Sequence, residues 1–377
     1  MAERFKICIV MGSHWTRQMG GSQYQAKCIL DALLADGRWD VHYVASMVDG
    51  GFEPVGYTIH AIGKQEGLRR FGGLLWDAPS LRRTLDSIHP DLVYQRGSKA
   101  YTGLVARFCQ RQTCPFVFHI AHDDDVRLLS TVPLLRHSIN KLIDKRLGDY
   151  GIRHARAVIA QTEYQSGLLL QNFGMPADLI APNFHPLPDD PVDKMIGATR
   201  VVWVANFKRS KRPELFVDLA ESMSECPDIR FVMIGRSGNP TLYEGLHRRI
   251  DSLPNLEYRG ELPISAVNEE LSRSHLFVST SSIEGFPNTF IQAWMRRVPV
   301  LSMDVDPDNV LRDQGVGVIC HDIQEMRQQV ARLAKDNAAR QRIGELAQNW
   351  AVSKHGPANA SRIVDYLAQL ASRRAVS

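Results

Sequence analysis

Short apolar runs alternate with longer amphipathic stretches along most of the chain, and no other feature restricts the possible fold as much. Lys6–Met11, Val41–Ala45, Leu92–Tyr94, Phe116–Ala121 and Ala157–Ala160 read as buried strands. Between and after them, Tyr24–Ala35, Leu74–Ile88, Tyr101–Cys109, Leu134–Leu147 and Glu163–Asn172 carry helical periodicity. Strands that strictly alternate with helices predict a parallel sheet covered on both faces. The proline-rich stretch 181–191 has no periodicity and reads as a linker. After it the pattern resumes, with strands Val201–Val204, Phe231–Ile234, Leu256–Tyr258, Leu276–Val278 and Val298–Leu301. Helices Glu214–Met223, Leu242–Leu253 and Ser265–Ser272 separate them. From Ile323 the chain reads as helical, with breaks at Asp336-Asn337 and His355-Gly356-Pro357.

A chain of 377 residues exceeds one typical core, so two Rossmann-like domains are expected. Their expected spans are 1–185, completed by a C-terminal helix at 356–377, and 186–355. No apolar run reaches membrane-spanning length, and the first residues lead directly into a strand pattern. Six scattered cysteines without a Cys-x-x-Cys pair read as reduced core residues. A cytoplasmic location follows as an expectation. The net charge of +4 accommodates an anionic ligand. Basic and aromatic residues do not interleave in a long stripe, so nucleic acid is not expected as a partner. The sequence contains no Gly-x-Ser-x-Gly, His-Glu-x-x-His or Walker lysine loop.

Ligands of parallel sheets bind beyond the carboxyl ends of the strands, so the loops there supply the candidate residues. After the first strand come His14 and the pair Gly20-Gly21, which let backbone N–H groups approach an anion before a helix. After Phe116–Ala121 come His122 and Asp123, expected to act as polar groups without a metal. After Val201–Val204, the segment Asn206-Phe207-Lys208-Arg209-Ser210-Lys211-Arg212-Pro213 places cations at a helix start, a phosphate cradle. After Leu276–Val278 lies Ser281-Ser282-Ile283-Glu284-Gly285-Phe286-Pro287-Asn288, with Asn288 as the expected N-cap of the next helix. Glu284 would accept hydrogen bonds from hydroxyls. A ligand carrying both phosphate and hydroxyls, such as a nucleotide sugar, fits these groups.

In these motifs the sequence resembles glycosyltransferase family 4, the retaining enzymes of the GT-B fold. The likeness covers nearly the whole chain and is strongest over residues 200–320. Ser-x-x-Glu-Gly-Phe-Pro-Asn followed by Ala-Trp-Met-Arg-Arg-Val-Pro-Val looks like the family's signature loop and helix. Leu256-Glu257-Tyr258-Arg259-Gly260 is similar to the strand and turn beside the nucleotide base. The resemblance implies an α/β GT-B architecture, two Rossmann-like domains facing each other across a cleft, with a C-terminal helix returning to the first. It implies a metal-independent, retaining transfer from a UDP- or GDP-sugar to a saccharide or lipid-linked saccharide acceptor, in polysaccharide or glycan biosynthesis, with no cofactor.

Its implied donor residues are Asn206, Lys208, Arg209, Lys211, Arg259, Gly260, Glu284, Gly285, Phe286, Pro287, Asn288 and Gln292. Glu284, Lys211 and His122 are the implied catalytic set; the family histidine matches His122 or His119, and His122 is taken. Gly20, Gly21, His14 and Asp123 are assigned to the acceptor and phosphate loop. Two positions depart from the family pattern. Gln292 stands where the family has its second glutamate, and Asn206 where it has an arginine; Lys208, Arg209 and Arg212 are available to supply charge. The alternatives are a sugar-nucleotide epimerase on the same architecture and a non-catalytic nucleotide-sugar-binding partner subunit. A basic segment over 127–153, with Arg127, Arg136, Lys141, Lys145, Arg146 and Arg153, reads either as a solvated helix face or as a contact with an anionic membrane.

Overall fold

The computed structural model describes residues 4–17, 19–63, 73–128, 139–188, 194, 197–238 and 240–374. The chain divides into two compact units, Met1–Phe184 with Pro357–Ser377, and His185–Gly356.

The first unit is built on strands β1 (Phe5–Ser13), β2 (Trp39–Met47), β3 (Thr58–Ala61), β4 (Leu92–Arg96), β5 (Phe116–His119), β6 (Ala157–Ala160) and β7 (Leu179–Ile180). Its helices are α1 (Gly21–Asp36), α2 (Gly73–Ile88), α3 (Ala100–Gln112), α4 (Ile139–Arg153) and α5 (Glu163–Phe173). Every pairing is parallel, in the order β3-β2-β1-β4-β5-β6-β7, with Ile7 opposite Val41 and Ile9 opposite Tyr94. The unbroken apolar run in β1 is what a strand buried on both faces requires. Ile7, Ile9 and Met11 enter the core beneath α1, while Cys8 and Val10 enter the opposite core with α3 residues Val105 and Phe108.

The second unit repeats the plan. Its strands are β8 (Thr199–Val204), β9 (Ile229–Ile234), β10 (Leu256–Tyr258), β11 (Leu276–Ser279), β12 (Val300–Ser302) and β13 (Gly317–Ile319). Its helices are α6 (Pro213–Ser222), α7 (Pro240–Ser252), α8 (Ile264–Arg273), α9 (Asn288–Met295), α10 (Val310–Gln314), α11 (Ile323–Lys335) and α12 (Asn337–His355). The strand order β10-β9-β8-β11-β12-β13 is again parallel throughout. Val201 and Trp203 face one core and Val202 the other. The last helix, α13 (Ala358–Arg374), belongs to the first unit, where Ile363, Val364 and Leu367 pack in the β1–α1 core.

The α/β expectation therefore holds for both halves. Four elements were not expected from the sequence: β3, β7, α10 and β13. β3 is an edge strand whose residues are all at least partly exposed, and β7 is two residues long. Neither of these two strands carries enough apolar periodicity to stand out. None of the six cysteines, all within the described residues, is joined in a disulfide. Among the described residues no helix is long and apolar enough to cross a membrane.

Candidate functional site

In the second unit the strand order reverses between β8 and β11. At such a switch point the loops leaving the two strands diverge and open a crevice at the carboxyl edge. The two loops are 205–212 and 280–287, those singled out by their cations and by Glu284.

The first loop leaves β8 under tight backbone constraint. Gly235 has φ 147°, and a Cβ there would lie 1.8 Å from the Ala205 carbonyl oxygen. Only glycine permits that approach. Asn206 accepts a hydrogen bond from the Arg236 amide at 3.1 Å, which pins the loop against the turn after β9. Arg209–Lys211 forms a single 3-10 turn, and Pro213 opens α6 as expected of proline at a first helical position. Lys208 and Arg209 are exposed and form no ion pair among the described residues. Lys211 is mostly buried and forms an ion pair with Glu284. Arg212 donates from its Nε to the Thr280 carbonyl at 2.5 Å, and it pairs with Asp304. It is thus engaged in holding backbone rather than being a supplementary charge for a ligand.

The second loop is anchored by aromatic packing. Phe286 is buried against Trp294, Trp350 and His355, with a ring separation of 4.5 Å to the histidine. This fixes Gly285 and Pro287 on either side. The N-cap of α9 is Pro287 and not Asn288, so that expectation is corrected. Asn288 is the first helical residue, and its Oδ1 lies 3.1 Å from His185 Nε2, which occupies the side chain that capping would need. Pro287 has no side-chain acceptor, so the N-cap residue adds no side-chain cap to the first turn of α9.

Gln292 lies one turn further along α9 and is buried, with its Nε2 donating to Asn268 Oδ1 on α8 at 2.9 Å. This bond fixes the carboxamide plane and leaves Oε1 as an acceptor. Arg259, beyond β10, is held by Glu257 and by the fully buried Glu270, which also binds Arg200. Burial opposes ionisation of Glu270, but the hydrogen bonds and charges of the two arginines outweigh it and hold its carboxyl below the usual range. Gly260 has φ 65° and accepts the Gly235 amide at 2.8 Å. Beside this turn Phe207, Tyr243, His247 and Tyr258 form an aromatic cluster, with Phe207 and His247 stacked at 5.7 Å.

In the first unit the candidates separate into different environments. His14 is fully buried against Trp15, Tyr43 and Phe52, and its Nδ1 accepts the Thr16 amide. Its Nε2 lies 3.1 Å from the Tyr57 hydroxyl, and burial pushes its pKa down to about 4, favouring the neutral imidazole. Gly20 is the N-cap of α1 and Gly21 its first residue, with no side-chain cap. His122 caps the short turn Asp123–Asp125 and is partly exposed. Asp123 is buried on Gln165 at 3.0 Å, and burial raises its carboxyl pKa. Asp125 accepts the amides of Ser98, Ala121 and His122. The three aspartates therefore have separate tasks. His119 lies in the interior between Tyr94 and Arg96 at 2.7 and 2.8 Å. Burial holds its pKa well below the ordinary value, whereas His122 keeps contact with solvent.

Within the basic segment, Arg136 and the side chain of Lys141 lie outside the described residues. Lys145 pairs with Asp149, Arg127 with Asp124, and Arg153 lies over the Phe173 ring. Sequence reasoning did not find Asn268, Glu270 or His185. Each acts through a partner far along the chain, and no local motif marks them.

Residues 198–336 match the family described as "Glycosyl transferases group 1", and residues 19–182 match "Glycosyltransferase Family 4". A curated relative, glycosyltransferase 1 domain-containing protein 1 of Xenopus tropicalis, is 22% identical over 156 residues, 41% of this chain and 45% of the relative. The chain thus spans about half the length of that relative. Sucrose-phosphate synthase from Thermosynechococcus elongatus superposes with a TM-score of 0.75 at 16% identity, over 98% of this chain and 100% of that one. HepE from Anabaena, solved in complex with UDP-glucose, gives 0.73 at 17%, over 98% and 100%. WaaG, a glycosyltransferase involved in lipopolysaccharide biosynthesis, gives 0.76 at 13%, over 96% and 99%. The two family matches and these structures identify a GT-B glycosyltransferase architecture in both halves.

Proposed function

We propose that this GT-B glycosyltransferase transfers a sugar from a nucleotide-sugar donor to a saccharide or lipid-linked saccharide acceptor, with retention of the anomeric configuration. The observation that carries the reading is the meeting of Lys211 and Glu284 across the β8/β11 switch point. A cation and a carboxylate at one crevice provide for the two halves of such a donor, its diphosphate and its sugar hydroxyls. The complex of HepE with UDP-glucose supports a nucleotide-sugar donor for a chain of this architecture.

In this reading the diphosphate lies against Lys211, Lys208 and Arg209 and the N-terminus of α9. Glu284, with the Gly285 and Phe286 backbone, orients the sugar. Gln292 offers Oε1 to a ribose hydroxyl, and the turn at Arg259 and Gly260 borders the base. The bond from the anomeric carbon to the phosphate oxygen breaks as the acceptor oxygen attacks from the same face. The acceptor proton passes to the departing phosphate oxygen. Lys211 stabilises the charge that develops there, without a metal. In the first unit, His122 and the N-terminus of α1 at Gly20 and Gly21 serve the acceptor, and Asp123 supports that turn from within.

The test is a thermal-shift screen of uridine and guanosine diphosphates and their sugars, followed by proton NMR of the transfer product. A stabilising donor and a product of unchanged anomeric configuration are expected. An inverted product contradicts retention. Epimerisation of the donor without acceptor contradicts transfer.

A further inference from the structure

The donor-site reading leaves Arg212 without a ligand role, yet its backbone is the most constrained in that loop. It is left-handed, at φ 45° and ψ 57°, and directly precedes Pro213, whose ring crowds the residue before it. A side chain retained in such a conformation is held there by its surroundings.

Those surroundings are the neighbouring loop. The Arg212 guanidinium reaches across to the Thr280 carbonyl at 2.5 Å and the Ser281 carbonyl at 3.3 Å, and pairs with Asp304. Three further bonds run beside it. Thr280 Oγ1 donates to the Lys211 carbonyl at 2.6 Å and itself accepts Trp203 Nε1 at 3.0 Å. The Ser282 amide donates to the Ser210 carbonyl at 2.8 Å. The turn that carries Lys211 and the loop that carries Glu284 are therefore joined by backbone-directed bonds, with the guanidinium as their charged member.

We propose that Arg212 is a positioning residue that sets the Lys211 ammonium against the Glu284 carboxylate by binding the carbonyls of Thr280 and Ser281. It does not touch the donor. Its planar fork serves two carbonyls and a carboxylate at once, which a lysine cannot reproduce. The consequence for donor binding rests on the function proposed above, while the link between the loops rests on geometry alone.

Two variants of the full chain separate these. Arg212→Gly removes the guanidinium while relieving the left-handed backbone, so the fold is retained. Arg212→Lys keeps the charge without the fork. Hydrogen exchange at the Ser282 amide is expected to accelerate about tenfold in Arg212→Gly, at nearly unchanged melting temperature, and by less in Arg212→Lys. The dissociation constant of whichever of UDP and GDP the wild type binds is expected to rise about tenfold in Arg212→Gly and partly recover in Arg212→Lys. Unchanged exchange at Ser282 in both variants overturns the proposal, as does accelerated exchange with unchanged diphosphate affinity. Accelerated exchange in a protein whose wild type binds neither diphosphate upholds the link between the loops and overturns the donor reading instead.

Discussion

Lys211 and Glu284, 73 positions apart in the chain, meet as an ion pair at the carboxyl edge of the second sheet. Both side chains are largely withdrawn from solvent. Each compensates the other's desolvation, and a donor that binds here must offer both a replacement partner. In the proposed function a diphosphate would serve the lysine and sugar hydroxyls would serve the carboxylate.

Replacing either member separately tests this exchange. Lys211→Ala and Glu284→Ala are each expected to lower turnover by about two orders of magnitude or more, as loss of charge stabilisation at a reacting centre does. If the two act on one donor as proposed, the double variant is expected to lose much less than the product of the single losses. Steady-state transfer rates for the four proteins give the answer, and multiplicative losses would show that the residues act apart.

Gln292→Glu introduces a charge where Asn268 is able to rotate its amide and donate. Affinity for the bound nucleoside diphosphate is expected to increase about three- to tenfold, since an ionised acceptor binds a hydroxyl more strongly. The gain should vanish with the 2′,3′-dideoxynucleotide. Calorimetry with both ligands distinguishes a ribose contact from a general electrostatic effect.

Stability should fall on acidification from neutral pH. Burial is the main cause that pushes His185 down to about 3 and His14 down to about 4, against an ordinary 6.5. Below about pH 6.5 the unfolded chain binds protons that the native state refuses. The stability these residues contribute is complete above that pH and is lost as pH falls toward their folded values. The slope is about 1.4 kcal/mol per pH unit for each histidine. Melting temperatures between pH 7.5 and 5 measure it. His185→Gln keeps an N–H for Asn288 and should flatten the dependence by one proton.

Turnover is expected to survive chelation. If lysine and helix-terminal amides face the diphosphate as proposed, excess EDTA should change the rate less than about twofold. Loss of activity that returns with added divalent cation would contradict the metal-independent scheme.

The sequence made the layered fold legible because strands buried on both faces must be continuously apolar, as Ile7–Met11 and Val201–Val204 are. It did not reveal β3, whose edge position tolerates exposed residues. The loops at Glu284 and Lys211 were legible as punctuation and charge, and their meeting required only the switch point. The pairing of Gln292 with Asn268 was not legible, because it depends on how α8 packs on α9. His14 is a loop residue just beyond β1, as expected, but its burial was not legible. Its burial comes from aromatic rings that β1, β2 and the segments after them assemble in three dimensions. Asn288 looked like a cap by type, but His185 engages its side chain.

The central claim is that the β8/β11 crevice binds a nucleoside diphosphate through Lys211. Titration calorimetry of UDP and GDP into wild type and Lys211→Ala tests it most directly. The account predicts one-site binding of at least one of them to the wild type, weakened about tenfold or more in the variant. Binding of neither, or equal binding to both proteins, would contradict it.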